Sequence, residues 1–225
     1  MHDVIEQLKQ KRWLWQGHTQ QTYADRCTTG FKELDDRLQG GFPKQGVIDI
    51  QTASGIGEMR LFLPMLDMQK DERLIVLVAP PMQIYADAFA SAGLALSRLL
   101  IISPEKAQDA MWAAELCLKS GACQSVFLWA NQLEVSHARR LEVASQMGQC
   151  HQVLFRTYDQ GTFSLPVTLA MQLQAHKWGL EAKVTKQKGG WQPQPFIIDM
   201  RSRWPHLSEK NAPSNVVPFP FRKQG

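Results

Sequence analysis

Apolar residues follow two spacings along the chain, and these alternate through its middle part. Short runs of consecutive apolar residues predict strands at 47–51, 74–79, 99–102, 125–129 and 152–157. Apolar residues at helical spacing predict helices at 57–69, 83–92, 104–120 and 134–147. Strands that alternate with helices of this length indicate βαβ units and a parallel sheet that is buried on both faces.

The pattern changes after residue 157. Strands are predicted at 167–175, 180–187 and 195–200, with turns at 177–179 and 189–190. We expect these strands to be antiparallel additions at the edge of the sheet. The predicted fold class is therefore α/β, with a mainly parallel sheet flanked by helices and antiparallel strands at its C-terminal edge.

Two terminal segments fall outside this alternation. Residues 3–15 have helical spacing and end in a tryptophan-rich cluster, which predicts an amphipathic arm over 1–17. The segment 201–225 is rich in proline and basic residues and has little periodicity, so we expect an extended, flexible tail. The core domain is predicted over 28–200.

The composition supports one substantial domain. With 225 residues, 44% hydrophobic and 20% charged, the chain can bury a sizeable core. Its apolar runs are too short to span a bilayer, and its charged N-terminus lacks the apolar region of a secretory signal, so we expect a cytoplasmic protein without membrane contact. The four cysteines show no paired spacing and the histidines no ligand spacing, which indicates reduced thiols and no metal site.

The net charge of +4 is unevenly distributed. Residues 176–225 carry nine Lys and Arg against three Asp and Glu, whereas the preceding residues are net negative. A basic C-terminal part indicates an acidic partner, either nucleic acid or protein, or a solvated basic surface. The candidate contacts to single-stranded nucleic acid are Lys183, Lys186, Lys188, Arg139 and Arg140. The alternative interpretations are an ordinary exposed hairpin for the lysines and a solvated helix face for the arginines.

Aromatic residues in both terminal segments are candidate partner contacts. Trp13 and Trp15 stand among basic residues in KRWLWQ, a pattern that suits base stacking but more often docks an arm on the core or on a neighbouring subunit. Phe219 and Phe221 lie in the proline-rich NVVPFPFRKQG. Exposed aromatics there suggest a linear motif that binds in a groove, with a tail folded back on the sheet as the alternative.

The stretch QTASGIGEMRL, residues 51–61, has the strand–turn–helix setting of a phosphate-binding loop. Such a loop reads G-x-x-x-x-G-K-[ST]: its N–H groups cradle phosphate, its lysine reaches the β- and γ-phosphates and its hydroxyl binds Mg²⁺. Aligned on Gly57, the chain has Thr52 at the first glycine, Glu58 at the lysine and Met59 at the hydroxyl position. Gly55 adds a second glycine to the turn.

These substitutions act against nucleotide binding. A charge pair about 4 Å apart is worth roughly 4 kcal/mol at an effective dielectric of about 20, and Glu58 reverses its sign. Arg60, two residues along a helix, points to a different face. The neighbouring strands end in Pro80-Pro81 and Ala130-Asn131 and supply no carboxylate for Mg²⁺. We therefore expect a pseudo-ATPase with no catalytic residue and no cofactor.

The segment TTGFKELDDRLQGGFPKQG, residues 28–46, resembles the stretch that leads into the nucleotide loop of RecA-type recombinases. LEAKVTKQKGGWQPQPFIID, residues 180–199, resembles their closing hairpin. The degenerate GIGE loop, the proline-containing strand end and the K-x-K-G-G hairpin are similar to the ImuA family and to its relative SulA. The resemblance covers residues 28–199 at low identity and implies a RecA-like core.

The ImuA resemblance implies an accessory protein of SOS-induced translesion DNA synthesis, hence of DNA repair and mutagenesis. Its partners would be an ImuB-like polymerase and a DnaE2-type polymerase, with RecA as a further candidate. SulA relatives instead bind the division protein FtsZ, and a cell-division inhibitor is the first alternative. An active ATPase or DNA-binding recombinase paralogue is the second.

The segments that correspond to the DNA-binding loops of RecA, 130–137 and 157–167, are short. Because these segments are short, we do not expect RecA-style filaments on DNA. Because a comparable N-terminal helix of RecA packs on the adjacent protomer, the resemblance also leaves self-association open.

Overall fold

The computed structural model describes residues 26–68, 70–158 and 165–205. The predicted N-terminal arm with Trp13 and Trp15 lies outside the described residues, as do Phe219 and Phe221 of the tail.

The described chain contains two kinds of regular element in alternation. The strands are β1 Arg26–Cys27, β2 Phe42–Pro43, β3 Gly46–Gln51, β4 Leu74–Val78, β5 Leu99–Ile102, β6 Cys123–Trp129, β7 His151–Arg156, β8 Leu169–His176, β9 Gly179–Gln187 and β10 Phe196–Asp199. The α-helices are α1 Lys32–Arg37, α2 Leu63–Met68, α3 Ala86–Ser91, α4 Ala107–Lys119 and α5 Val135–Gly148. Two 3₁₀ turns span Glu58–Leu61 and Leu96–Arg98.

Eight strands form one sheet in the order β10-β9-β8-β3-β7-β6-β4-β5. The six strands from β8 to β5 are parallel to one another, and β9 is antiparallel to both β8 and β10. β1 and β2 form a separate antiparallel pair. The sequence-based prediction of a mainly parallel sheet with antiparallel strands at the C-terminal edge is confirmed.

The alternation of side chains along each strand divides the core between the two faces of the sheet. In β6, Val126 and Leu128 belong to the cluster that α4 and α5 cover, whereas Phe127 belongs to the cluster on the opposite face. There Phe62 packs its ring edge-on against Phe127 and Phe155, with centroid distances of 5.5 and 5.9 Å. Burial on both faces explains why the central strands are almost wholly apolar.

One predicted helix is broken. The sequence predicted a continuous helix over 57–69, but the chain makes a 3₁₀ turn at Glu58–Leu61 and begins α2 at Leu63. Pro64 is the second residue of α2, a position that tolerates its missing N–H. A helix running through from residue 57 would need that N–H for its backbone ladder. The other helices and strands predicted between residues 47 and 200 are present, with bounds shifted by at most three residues.

A buried histidine ties the β1–β2 pair to the sheet. His151 begins β7, and its Nδ1–H donates to the carbonyl oxygen of Pro43 at 3.0 Å. The Sγ atom of Cys27 lies 3.9 Å from the other ring nitrogen, Nε2. Burial lowers the pKa of His151 to about 4, so the ring is neutral in the folded protein at neutral pH.

We predict that the free energy of unfolding falls as the pH drops from about 6.5 to about 4. In this window His151 takes up a proton in the unfolded chain but not in the folded one, so the folded state loses about 3 kcal/mol relative to the unfolded state. His151→Asn keeps a donor for Pro43 and cannot titrate. Urea unfolding at pH 7, 5.5 and 4.5 should show a shallower pH dependence for the variant, and equal slopes would contradict the assignment.

Candidate functional site

The loop that follows β3 is a tight turn made possible by two glycines. Gly55 has φ 86° and Gly57 has φ 101°, both in the left-handed region that favours glycine. A Cβ atom on Gly57 would stand 3.0 Å from Nη1 of Arg60. The chain then enters the 3₁₀ turn at Glu58, at the edge where the carboxyl ends of the parallel strands meet.

The side chain of Glu58 folds back into this turn and fills it. The N–H of Gly55 donates to Oε1 and Oε2 at 3.0 and 3.2 Å, and the N–H of Gly57 donates to Oε2 at 3.1 Å. Glu58 is only 6% exposed. Successive N–H groups of such a turn are the donors that face a bound anion. The protein's own carboxylate therefore occupies the anion position of the loop.

These hydrogen bonds would oppose phosphate binding in addition to the negative charge of Glu58 at the lysine position of the pattern. Hydrogen bonds to a charged acceptor contribute about 1.5–3 kcal/mol each, and an incoming phosphate would have to break them. If Glu58 stayed nearby, the phosphate would also meet a negative charge. Sequence reasoning identified the charge reversal at Glu58 but missed its hydrogen bonds, because nothing in the residue pattern shows where the side chain turns.

The turn after the loop also differs from the α-helix of a phosphate-binding loop. The N–H of Arg60 donates to the carbonyl of Gly57 at 3.0 Å, and the N–H of Phe62 to that of Met59 at 3.0 Å. These donors are thus used within the 3₁₀ turn. Met59, at the position of the Mg²⁺-binding hydroxyl, is half-buried and packs against the core. The hydroxyl of Thr52 donates to the carbonyl of Ala53 at 3.0 Å.

A cleft of about 200 Å³ opens beside the loop, where β3, β4, β6 and β7 end. Ligands of open α/β sheets bind at such carboxyl edges, where the connections from neighbouring strands diverge. Trp129 and Phe155 stack at 4.9 Å along its wall, and Oδ1 of Asn131 accepts the N–H of Thr157 at 2.9 Å. No Asp or Glu is among the described residues that line this cleft.

A buried ion pair supports the cleft from within the sheet. Arg156 at the end of β7 donates to Asp49 of β3 through Nε and Nη2, at 2.8 and 2.6 Å. The two side chains are 7% and 2% exposed. Gln51 donates to Asp49 at 3.5 Å and accepts from Gln172 of β8 at 3.2 Å, so a chain of polar contacts crosses β7, β3 and β8.

Sequence reasoning missed this ion pair, although a signal was present. Asp49 interrupts the apolar strand VIDIQ, and Arg156 ends the apolar run QVLFR. Because a buried charge needs a partner, two such interruptions indicate a pair once the strands are known to be neighbours. β3 and β7 are neighbours in the sheet, but their order could not be read from the sequence.

The five candidate nucleic-acid contacts lie on different elements. Lys183 is exposed on β9 and Lys188 just after it, while Nζ of Lys186 donates to the carbonyl of Leu165 at 2.7 Å. Arg139 and Arg140 lie on α5, where Arg139 is exposed.

Arg140 is engaged with the neighbouring helix. Its guanidinium binds Glu115 of α4, which also accepts from Lys119 at 2.6 Å. The hydrogen bond from Lys119 and then that from Arg140 lower the pKa of Glu115. Arg140 and Lys186 therefore have partners within the fold, although Arg140 is also exposed, and the other three residues are exposed as well.

The part of the chain that the structure describes offers neither a metal centre nor a membrane-spanning helix. Among residues 26–68, 70–158 and 165–205, no group of His, Cys, Asp and Glu is arranged to hold a metal ion. None of the helices in the same ranges has the length and apolar character needed to cross a membrane.

We predict that the Asp49–Arg156 pair shows strong coupling in a double-mutant cycle. Asp49→Leu or Arg156→Leu alone leaves a buried charge without its partner and should lower the free energy of unfolding by about 3–5 kcal/mol. The double variant leaves neither charge, so it should lose less than either single variant. Urea unfolding of the four proteins measures the coupling, and additive losses would contradict it.

Comparison with known proteins gives likenesses among solved structures and none among family models or curated proteins. Among solved structures, the crystal structure of SulA from Pseudomonas aeruginosa is similar to this chain, with 25% sequence identity and a TM-score of 0.42. The match covers 49% of this chain and 98% of the SulA chain.

Proposed function

We propose that this chain is a catalytically degenerate RecA-like protein that acts through protein contacts and does not turn over nucleotide. The observation that carries the proposal is the carboxylate of Glu58 on the N–H groups of Gly55 and Gly57. The loop keeps the strand–turn shape of a phosphate site, while an internal anion takes the place of the ligand. In this proposal the loop after β3 is a fixed structural element that needs no bound nucleotide.

The cleft beside the loop supports the same proposal. Nucleotide hydrolysis requires side chains that hold Mg²⁺ and orient the attacking water at the ends of neighbouring strands. At these places the cleft presents Pro81 after β4 and Asn131 after β6, and an arginine whose charge Asp49 already neutralises. None of these groups carries the free negative charge with which a carboxylate holds Mg²⁺.

The cellular role that we propose is the one implied by the ImuA resemblance of residues 28–199. The chain would be a cytoplasmic accessory protein of SOS-induced translesion synthesis that binds an ImuB-like polymerase and a DnaE2-type polymerase. Large exposed side chains that suit protein contacts support a scaffold role, among them Trp112, Tyr85 and Met147, which are 62%, 71% and 65% exposed.

We predict that Glu58 is the group that keeps anions out of the loop. Wild-type protein should show no heat of binding with millimolar MgATP or inorganic phosphate in calorimetric titration. Glu58→Ala frees the donors of Gly55 and Gly57 and should bind phosphate at least tenfold more tightly than the wild type. Gly57→Val closes the turn sterically, and adding it to Glu58→Ala should abolish this gain. Micromolar ATP affinity of the wild type, lost in Gly57→Val, would overturn the proposal.

The partner proposal has its own test, which is affinity purification of the tagged full chain from DNA-damaged cells. We expect an ImuB-like polymerase among the captured proteins, in equal amounts for wild type and Glu58→Ala, with or without added ATP. Capture of FtsZ without any ImuB-like polymerase would instead identify a SulA-like division inhibitor. Capture that requires ATP would contradict a nucleotide-independent scaffold.

A further inference from the structure

A second cleft, also of about 200 Å³, lies on the other side of the phosphate-type loop. It forms where the β8–β9 turn meets the residues that follow β10 and the 3₁₀ turn after β3. The lining residues that matter for its chemistry are Arg60, His176, Lys177, Trp178, Arg201 and Trp204. No Asp or Glu is among its described lining residues, so the cleft has a positive lining.

The three cationic side chains of this cleft differ in whether an anion of the protein already pairs with them. Arg201 is neutralised by Asp199, to which its Nε donates at 3.0 Å, and this hydrogen bonding lowers the pKa of Asp199. The half-buried guanidinium of Arg60, in contrast, has no hydrogen bond or ion pair with any described residue. Lys177 is exposed, and its Nζ lies 5.0 Å from the indole centroid of Trp178. Arg60 and Lys177 are therefore available to an anion.

The aromatic residues hold this arrangement in place. Arg201 and Lys177 both lie over the indole of Trp178, with Cζ of Arg201 4.6 Å from the ring centroid. Trp204 stacks on Phe31 at 6.4 Å and so joins the core. The indole of Trp178 already has two cations over it, which compete with any base that would stack there.

We propose that this cleft binds carboxylate side chains of an acidic protein segment. The guanidinium of Arg60 would take one carboxylate, with Lys177 as a second cation, and the ring of Trp204 would contact the aliphatic part of the ligand. The volume suits one or two side chains and lies below the range usual for cofactor sites. The excess of basic residues after residue 176 favours the approach of an acidic partner.

The same features favour protein over nucleic acid as the partner. A nucleic-acid strand is bound by cations that follow its backbone along a groove and by free aromatic faces. Here the cations converge in one small cleft, Asp199 stands beside it, and Trp178 is occupied by Arg201 and Lys177. Binding of an acidic segment in this cleft would not require the proposed role in translesion synthesis.

The test is fluorescence anisotropy with the full chain and a dye-labelled Glu-Glu-Phe-Glu-Glu peptide, at low and at physiological salt. Arg60→Gln should weaken peptide binding about tenfold, whereas Arg60→Lys, which retains the charge, should lose clearly less. Lys177→Gln should also weaken it. Its matched control is Lys106→Gln, which removes the same charge from an exposed position before α4 and should leave binding unchanged within about twofold.

Two further probes decide between partners. A Gln-Gln-Phe-Gln-Gln peptide should not bind, and an unlabelled oligothymidylate should not displace the acidic peptide. Equal loss in Lys177→Gln and Lys106→Gln, binding of the neutral peptide, or no binding of the acidic peptide would overturn the proposal. Displacement by the oligonucleotide that is lost in Arg60→Gln would overturn it in favour of a phosphate site. Thermal unfolding of each variant shows whether a loss reflects folding.

Discussion

The hydrogen bonds between the Glu58 carboxylate and the N–H groups of Gly55 and Gly57 are the constraint that shapes the loop after β3 at the carboxyl edge of the sheet. The glycines of this turn have positive φ, and their N–H groups would otherwise face solvent or a ligand. The Glu58 carboxylate accepts hydrogen bonds from both N–H groups. It also places a negative charge where a phosphate would need a positive one. Compared with the phosphate-loop pattern, Glu58 thus stands at the lysine position and supplies an internal acceptor for the donors of the loop.

The sheet around the loop is built to hold it rigidly. Parallel strands bring the ends of β3, β4, β6 and β7 to one edge, and the buried Asp49–Arg156 pair fixes β3 to β7 directly beneath that edge. On the opposite face, Phe62 anchors the end of the 3₁₀ turn among Phe127 and Phe155. A loop held in this way from both sides is a fixed corner of the structure, as the proposed scaffold role would require.

Much of the fold could be predicted from the sequence, because the spacing of apolar residues reflects the period of the local helix or strand. The mixed sheet, its antiparallel edge and its eight strands follow from that pattern. The β1–β2 pair was not predicted, and the helix over 57–69 was wrongly predicted to be continuous. The site was less accessible, because its contacts join distant segments. Asp49 meets Arg156 only through the strand order, and Arg60 reaches the cleft beside Trp178 only because the β8–β9 turn folds towards the loop.

The most direct test of the central claim is nuclear magnetic resonance of the backbone amides of Gly55 and Gly57, assigned in the full chain. If the Glu58 carboxylate is their partner, their chemical shifts change in Glu58→Gln and stay unchanged when millimolar MgATP or phosphate is added to the wild type. Shifts that move in the wild type on addition of MgATP, at concentrations that leave distant amides unaffected, would contradict a loop filled by its own side chain.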